Sequence, residues 1–242
     1  MGAVTVVTGG GRGIGAATVA RLAAAGHDVV VGYRRDADAA EAVADRARAA
    51  GVRAAAVAGD TVDEGAVARL FAAAEAFGPV TGLVNNAGIT SPLGRLADVS
   101  VAELRRVVEV NVVGYLLCAR EAAGRMSAGG AIVNVSSSAA TLGSPNEYVH
   151  YAASKAAVDA MTVGLAKELA PAGIRVNAVA PGITRTELHA LSGEPDRAAT
   201  AAGRIPLGRA AEPDEIAAAI AWLLSPDASY TTGAVLRVAG GL

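Results

Sequence analysis

Tyr151 and Lys155 have the side-chain types and the spacing to move a proton together. They lie four residues apart at the start of a stretch of helical character, so their side chains share one helix face. A free tyrosine has a pKa of about 10, which is too high for a base at neutral pH. A cation held against the ring oxygen favours the phenolate and lowers that pKa, and a general acid or base works best near the working pH. The pair therefore predicts proton transfer to or from an alcohol oxygen.

A glycine-rich segment, Thr8 to Gly15, joins a short β-branched run to a helical stretch. Glycines let the backbone turn sharply and approach a pyrophosphate without obstruction by a Cβ atom. The helix start then offers free N–H groups and the positive end of its dipole to the anion. A strand before and a helix after are the context that a dinucleotide motif requires. The predicted cofactor-binding residues of this segment are Gly9, Gly11, Arg12, Gly13, Ile14 and Gly15.

The tip of the second predicted strand indicates which dinucleotide is bound. NAD-binding proteins usually carry an acid about 20 residues beyond the glycines, where it binds the ribose 2′-hydroxyl. The residues at this tip are instead Tyr33, Arg34 and Arg35. Arginine binds a 2′-phosphate through several donors, and Arg12 is a second candidate for this contact. We therefore predict NADP(H) rather than NAD(H), and we interpret Asp36 and Asp38 as caps of the next helix.

Two kinds of segment alternate along the chain and would position these residues. Nearly continuous apolar runs indicate parallel strands buried on both faces, at Thr5–Thr8, Asp28–Gly32, Arg53–Ala58, Gly82–Asn85, Ala131–Ser136, Arg175–Ala180 and Val235–Val238. Ala-rich stretches indicate helices at Gly13–Ala25, Asp36–Ala50, Glu64–Ala76, Val101–Met126, Tyr151–Ala170 and Pro213–Leu224. Asp63 and Ser100 are predicted N-caps.

This alternation predicts an α/β fold, a doubly wound parallel sheet of the Rossmann type with about seven strands and helices on both faces. We expect one domain over residues 1–242, with the ligand beyond the carboxyl ends of the strands. The irregular stretch Gly182–Gly208 is rich in Thr, Gly, Pro and Arg, and we interpret it as a mobile substrate lid.

Composition excludes several classes of protein. The 21 basic and 23 acidic side chains give a net charge of −2 without a basic block, so nucleic-acid binding is not expected. No uninterrupted apolar run of about 18 residues occurs, so a membrane span is not expected either. The single cysteine cannot form an internal disulfide, and the first residues lack the basic region of a signal peptide, so we expect a cytoplasmic protein. The scattered Cys and His residues match no metal site.

Five motifs in order along the chain resemble those of the classical short-chain dehydrogenases/reductases. They are Thr8-Gly-x-x-x-Gly13-x-Gly15, Asn85-Asn86-Ala87-Gly88, Asn111, Tyr151-x-x-x-Lys155 and Pro181-Gly182. The resemblance covers nearly the whole chain and implies an oxidoreductase. Such an enzyme transfers a hydride between a nicotinamide cofactor and a small carbonyl compound or secondary alcohol, with Tyr151 as general acid/base. It also implies a homo-oligomer, a tetramer or a dimer.

The resemblance assigns further roles residue by residue. Lys155 would also bind the nicotinamide ribose, and Asn111 would hold a water that relays protons through the lysine. Asp60 and Thr61 resemble the adenine-contacting pair, although Asp60 could instead cap a helix. The remaining cofactor contacts implied are Tyr151, Asn86, Ala87, Gly88, Pro181, Gly182, Ile183, Thr184 and, for the phosphates, Thr186.

The family's catalytic serine has two candidates. Counting back from Tyr151 by the family's usual spacing gives Ser138, whereas aligning the strand before it gives Ser137. A strand is rigid and a loop can absorb an extra residue, so we prefer Ser137 and keep Ser138 as the alternative.

The substrate is less well indicated, because specificity in this fold lies in loops. The candidate pocket residues are Tyr148, His150, His189 and Leu191. One alternative is a 3-oxoacyl-[acyl-carrier-protein] reductase, which would need basic residues near the pocket mouth. We expect that mouth at residues 124–130, where one Arg and no Lys disfavour this role. A second alternative is a catalytically silent dinucleotide sensor, but such proteins keep the glycine loop and lose the Tyr–Lys pair.

Overall fold

Seven apolar segments pair side by side as parallel strands. The computed structural model describes residues 2–191 and 193–242, except for the side chains of residues 189 and 191, so the predictions for His189 and Leu191 lie outside the described part. The strands are β1 (Val4–Val7), β2 (Asp28–Tyr33), β3 (Ala54–Ala58), β4 (Val80–Asn85), β5 (Ala131–Val135), β6 (Arg175–Pro181) and β7 (Val235–Val238). Their order in the sheet is β3-β2-β1-β4-β5-β6-β7, so successive strands extend the sheet to one side from β1 to β3 and to the other side from β4 to β7. This order confirms the predicted doubly wound parallel sheet.

The sheet is buried on both faces because its strands are apolar at successive positions. Val6 and Val7 are both fully buried, but they point to opposite faces, as neighbours in a strand must. Val7 packs with Leu22 and Ile220 in one apolar layer. Val6 packs with Leu70 and Phe71 in the other. The two layers hold the strand ends rigidly, so residues just beyond those ends occupy defined positions.

The helices follow the predicted pattern closely. They are α1 (Gly13–Ala24), α2 (Ala37–Ala49), α3 (Glu64–Glu75), α4 (Val101–Val108), α5 (Gly114–Arg125), α6 (Ala139–Leu142), α7 (Val149–Leu169), α8 (Leu188–Leu191), α9 (Arg197–Thr200) and α10 (Pro213–Leu224). Asp36 caps α2 by accepting the Ala39 N–H at 3.1 Å. Asp63 caps α3 in the same way and Ser100 forms a capping box at α4, which confirms the caps predicted at Asp36, Asp63 and Ser100. The prediction of Asp38 as a cap is wrong, because Asp38 lies inside the first turn of α2 and Asp36 holds the cap position.

One predicted helix, Val101–Met126, is interrupted. The helix α4 ends at Val108, a π-helical turn spans Glu109–Val113, and α5 begins at Gly114. The side chain of Asn111, inside this turn, bonds to the backbone of Ile89 on another segment. Such one-turn π segments commonly occur at functional sites, and a long-range bond of this kind has no signature in local helix periodicity.

The segment predicted to be a lid has local structure of its own. It contains α8, α9 and a short 3-10 turn at Ala202–Arg204, and Thr184 forms a β-bridge with Ala211. Across the described helices, none combines the length and apolar character needed to cross a bilayer.

Candidate active site

Two adjoining cavities lie at the carboxyl ends of the strands. The tyrosine cavity, of about 370 Å³, is lined by residues that include Ser137, Tyr151 and Lys155. The glycine cavity, of about 330 Å³, is lined by residues of the glycine-rich segment and of the β2 tip. Ile14 and Asn86 line both cavities. The two therefore form one cleft, with room for an extended ligand reaching from the glycines to the tyrosine.

The glycine cavity has a cradle that only glycine permits. Gly9 and Gly13 adopt left-handed backbone with φ of 62° and 51°. A Cβ at Gly9 would lie 2.9 Å from the Cα of Ala87, so the loop packs directly on the end of β4. The helix α1 starts at Gly13, and its first turn faces this cavity through Gly13 and Ile14. The donor set fits a dinucleotide pyrophosphate.

Most of the predicted loop residues line the cavity, but Gly15 has a different position. Gly9, Gly11 and Arg12 are in the cavity wall. Gly15 is packed behind that wall, where a Cβ would lie 2.3 Å from the carbonyl oxygen of Gly9. Its missing side chain lets α1 and the loop approach each other, so Gly15 shapes the cradle rather than lining it.

The tip of β2 is basic but partly neutralised. Tyr33, Arg34 and Arg35 all line the glycine cavity, as do Asp60 and Thr61. The Nε atom of Arg34 lies 2.6 Å from a carboxylate oxygen of Asp60, and Arg12 lies 3.6 Å from Glu187. The alternative role of Asp60 as a helix cap is wrong, because Asp63 caps α3. Asp60 instead orients the arginine at the strand tip.

The end of β4 is bonded to the end of β1. The Thr8 hydroxyl accepts the N–H groups of Asn86 and Ala87 at 3.0 and 3.1 Å. The Asn86 amide donates to the carbonyls of Thr8 and Gly9, each at 3.0 Å. These bonds bring Asn86, Ala87 and Gly88 to the boundary between the cavities. Sequence reasoning quoted Thr8 only as part of a motif and missed this role.

Tyr151 lies in the first turn of α7 and is 9 % exposed. Its ring meets that of Tyr148 edge-on, with centroids 5.1 Å apart. Burial raises the pKa of the Tyr151 phenol and Tyr148 raises it further, while a hydrogen bond with the Ser137 hydroxyl opposes the shift. The expected lowering of this pKa is therefore wrong for the structure described, because loss of hydration on burial outweighs the hydrogen bond with Ser137.

Lys155 is 3 % exposed, and the hydrogen bonds that the structure describes for its ammonium go to groups other than the Tyr151 phenol. Its Nζ donates to the carbonyl of Val135 at 2.7 Å and to the Tyr115 hydroxyl at 3.2 Å. The distance from Nζ to the Tyr151 ring centroid is 5.8 Å. Burial lowers the pKa of Lys155 to about 7, and the negative charge of Asp159 opposes that shift. A lysine with this pKa can change protonation state near neutral pH.

Ser137 and Ser138 both line the tyrosine cavity, but they are held differently. The Ser137 hydroxyl bonds to the Tyr151 phenol and accepts the N–H of Ala139 at 3.1 Å. The Ser138 backbone N–H donates to the Pro181 carbonyl at 2.8 Å, which ties the loop after β5 to the end of β6. The hydrogen bond that the structure describes to the phenol thus comes from Ser137.

Asn111 is fully buried below the tyrosine cavity. Its Oδ1 accepts the N–H of Ile89 and its Nδ2 donates to the Ile89 carbonyl, both at 2.9 Å. Nδ2 also donates to the Ser154 hydroxyl at 3.0 Å. Asn111 therefore joins the π turn both to the loop after β4 and to α7.

The remaining wall of the tyrosine cavity comes from β6 and the segment after it. The residues predicted there, Pro181, Gly182, Ile183, Thr184 and Thr186, all line it. Tyr148 also lines it, together with Glu147 and two arginines of the predicted lid, Arg197 and Arg204. Arg197 is buried, forms an ion pair with Glu147 and donates to the Tyr148 hydroxyl at 3.0 Å.

Two expectations about the pocket are wrong. His150 points away from the cavity and is buried with its Nε2 2.7 Å from the Ser91 hydroxyl, because helical spacing directs it away from its neighbour Tyr151. Residues 124–130 precede β5 and so lie at the amino end of the sheet, whereas the cavity is at the carboxyl end. Two arginines of the predicted lid, the buried Arg197 and the exposed Arg204, line the cavity instead.

Sequence reasoning also missed Tyr115, a buried tyrosine at the start of α5 that contacts Lys155. The signal available was a single aromatic residue one helical turn after Asn111, in a chain with only 3 % aromatic residues.

Comparison with known proteins identifies the family of this cleft. A family model described as enoyl-(acyl carrier protein) reductase matches residues 9–242. An uncharacterised oxidoreductase of Escherichia coli, YgfF, is 46 % identical over 99 % of each chain. A cis-4-hydroxycyclohexanecarboxylate dehydrogenase of Sinomonas cyclohexanicum is 48 % identical over 98 % of this chain and 95 % of that protein. A short chain dehydrogenase from Burkholderia cenocepacia, in complex with NADP, matches with a TM-score of 0.93 at 37 % identity over 100 % of this chain and 98 % of that one. The chain therefore belongs to the family of classical short-chain dehydrogenases/reductases.

Proposed function

We propose that this protein is an NADP(H)-preferring oxidoreductase that interconverts a small carbonyl compound and the corresponding secondary alcohol. The observation that carries the proposal is the grouping of Tyr151, Ser137 and Lys155 in one cavity that continues into the glycine cavity. A ligand reaching along this cleft would bring a nicotinamide ring beside the phenol.

Tyr151 acts as the general acid/base. Its raised pKa keeps the phenol protonated at neutral pH, which is the state needed to donate a proton to a forming alkoxide. Ser137 donates a hydrogen bond that polarises the carbonyl, and Lys155 supplies the nearby positive charge. Asn111 fixes the turn beneath them. The bound nicotinamide supplies or accepts the hydride.

The residues that fit the cofactor follow the cleft. The glycine loop and the start of α1, with Thr186, line the glycine cavity and would hold the pyrophosphate. Asn86, Ala87 and Gly88 would contact the nicotinamide half of the cofactor, and Pro181 to Thr184 would contact its carboxamide. Lys155 would bind the nicotinamide ribose as well as act in proton transfer.

The preference for NADP(H) rests on the arginines around the tip of β2. The carboxylate of Asp36, which follows Arg35, accepts the Ala39 N–H as the cap of α2, and the carboxylate of Asp60 pairs with Arg34. Arg34 pre-oriented in this way, with Arg12 and Arg35 on the same rim, suits a 2′-phosphate. The NADP complex of the Burkholderia relative supports the same choice.

The cofactor assignment is tested by Arg34→Gln. Losing one charge-assisted contact should lower kcat/KM with NADPH by at least about tenfold and change the value with NADH by less than about twofold. The matched control is Arg46→Gln, an exposed arginine on α2 outside the cleft. A wild-type kcat/KM at least about tenfold better with NAD(H) than with NADP(H) would overturn the assignment.

The mechanism is tested by Tyr151→Phe, which removes the hydroxyl and keeps the ring. Turnover should fall by about 10³ or more, within the range of lost acid–base catalysis, while NADPH binding measured by fluorescence should remain. Tyr230→Phe changes an exposed phenol in the same way and should leave turnover unchanged. Unchanged turnover in Tyr151→Phe would refute the proposal.

The substrate is tested with a panel of ketones and secondary alcohols. The 48 % identity to a cis-4-hydroxycyclohexanecarboxylate dehydrogenase supports cyclic ketones as the first members of the panel. The lid proposed for residues 182–208 would then close over the substrate, because Arg197 and Arg204 of that segment line the tyrosine cavity.

A carrier-protein reductase is the alternative within the same chemistry. It would recognise an acidic partner through exposed basic residues, but Arg197 and Arg204 both face the carboxylate of Glu147. Activity on a free ketone with a salt-insensitive KM supports our proposal, and activity confined to a carrier-bound ketone supports the alternative. A silent dinucleotide sensor would bind NADPH and show no Tyr151-dependent turnover with either.

We also propose a single catalytic domain that assembles as a homo-oligomer, a dimer or a tetramer. Apolar side chains remain exposed on α4, α5 and α7, among them Val108, Leu116 and Val163, and such surfaces are commonly covered by a second subunit. Sedimentation velocity should give a dimer or a tetramer, and a monomer would contradict this proposal.

A further inference from the structure

The phenol of Tyr115 is in direct contact with Lys155. Tyr115 is 2 % exposed. Its hydroxyl accepts a hydrogen bond from the Lys155 Nζ at 3.2 Å and donates one to the carbonyl of Val135 at 3.0 Å. The same carbonyl accepts from Nζ at 2.7 Å. The three groups therefore form a closed triangle beneath the tyrosine cavity.

The ring of Tyr115 contributes as well as its hydroxyl. Nζ lies 4.8 Å from the Tyr115 ring centroid, compared with 5.8 Å from the Tyr151 ring centroid. A cation at such a distance from an aromatic face is attracted by the ring. Tyr115 is thus the nearer of the two tyrosine rings to the ammonium.

The position of Tyr115 follows from the π turn. Tyr115 lies one residue into α5, directly after the turn that contains Asn111. The three corners of the triangle belong to different elements, since α5 provides Tyr115, β5 provides Val135 and α7 provides Lys155. A shift of any of these elements would move the ammonium.

An ammonium has three N–H donors. Two of them are used by Val135 and Tyr115, and Lys155 also lines the tyrosine cavity. With two donors fixed, the direction of the third is fixed as well.

We propose that Tyr115 is a positioning residue, whose hydroxyl and ring hold the Lys155 ammonium so that its remaining donor serves the tyrosine cavity. The inference rests on the proposed function for the use of that donor, but the contact itself can be measured without turnover. The titratable groups around Lys155 are Tyr151 and Asp159 on its own helix and Tyr115 on α5, while β5 contributes only a backbone carbonyl.

The chain offers a direct experiment, because Lys155 and Lys167 are its only lysines. The full-length protein labelled with ¹³C at lysine Cε should give two lysine signals by NMR, each of which can be titrated. Tyr115→Phe removes one of the two hydrogen-bond acceptors described for the ammonium and keeps the ring. The titration midpoint of Lys155 should fall by about half a pH unit to one pH unit, while the titration midpoint of the exposed Lys167 stays unchanged.

Further variants separate positioning from general destabilisation. Tyr115→Met removes both hydroxyl and ring at an apolar site, should lower the midpoint at least as far, and takes over the test if Tyr115→Phe does not fold. Tyr230→Phe, at an exposed site, should leave both lysine midpoints in place. An unmoved Lys155 midpoint in the Tyr115 variants would overturn the inference.

Wild-type protein provides a check that requires no variant. The Lys155 ε-methylene protons should show nuclear Overhauser effects to the Tyr115 ring, and their absence would overturn the contact. In the pH profile of kcat/KM for ketone reduction, Tyr115→Phe should shift the alkaline limb to lower pH, by the same number of pH units as the Lys155 titration midpoint measured by NMR. A uniform loss of kcat/KM without movement of that limb would indicate a purely structural role. A moved NMR midpoint in a protein without ketone turnover would retain the contact and reject the proposed function.

Discussion

Replacing Lys155 with methionine should stabilise the protein in a pH-dependent way. Lys155 is 3 % exposed, and its pKa is lowered from 10.5 to about 7 chiefly by burial. Between these two values the unfolded chain binds a proton that the folded chain does not bind. The free energy of unfolding of the wild type should therefore rise with pH across that interval.

The magnitude follows from the size of the shift. Each pKa unit corresponds to about 1.4 kcal/mol, so holding a charged Lys155 in the fold costs about 5 kcal/mol at most. Below pH 7 the cost is complete, since both states are protonated. As the pH rises above 7 the cost is progressively relieved. Lys155→Met has no such cost at any pH. The difference in free energy of unfolding between the variant and the wild type should therefore shrink by about 2 kcal/mol between pH 7 and pH 9.

The assay is denaturant unfolding of both proteins at several pH values between 6 and 9, at one protein concentration. Loss of the bonds to Val135 and Tyr115 adds an offset that does not depend on pH, so the slope of the difference carries the test. The other lysine, Lys167, is on the same helix and exposed, and Lys167→Met should give a difference that is flat with pH. A flat difference for Lys155→Met as well would refute the reasoning about its burial.

Three further perturbations test the framework around the site. In thermal unfolding, Gly15→Ala should lose about 1–3 kcal/mol of stability, because its Cβ would lie 2.3 Å from a backbone oxygen, and it should also weaken NADPH binding. Gly124→Ala on α5, where nothing lies within 4 Å of the added Cβ, should gain up to about 1 kcal/mol in the same assay. Asn111→Ala should lose at least about 2 kcal/mol, since it leaves buried backbone groups unpaired, and an unchanged melting temperature would contradict this. Arg197→Met removes the ion pair to Glu147 and should speed limited proteolysis within residues 182–208 several-fold, and an unchanged cleavage rate would show that this pair does not hold the segment.

Much of the fold could be predicted because its signals are local. Each strand is an apolar run that needs no knowledge of its partners, and β7 was predicted with its observed bounds, Val235–Val238. Helix starts were predicted from capping residues such as Asp63, which bonds to an N–H only three residues away. The family was recognised for a similar reason, because its motifs are short and keep their order along the chain.

The predictions that failed depended on distant contacts. The single helix over Val101–Met126 was wrong because Asn111 bonds to Ile89, 22 residues away, inside a π turn. His150 was predicted as a pocket residue on a specificity loop, but its side chain packs against Ser91. Asp60 was considered as a cap, but it pairs with Arg34, which lies just beyond the end of β2.

The sequence by itself determined which chemical groups this protein has and in which elements they lie. Strand and helix periodicity, glycine spacing and the four-residue interval from Tyr151 to Lys155 are properties of neighbouring residues, and they specify the sheet, the glycine-rich turn and the shared helix face. Only the tertiary structure decided the state of those groups. Burial raises the pKa of Tyr151 and lowers that of Lys155, and the ammonium faces Tyr115 from a helix 40 residues away in the chain. Loss of hydration and long-range contacts cause these pKa shifts, and both arise only when the sheet brings the strand ends together.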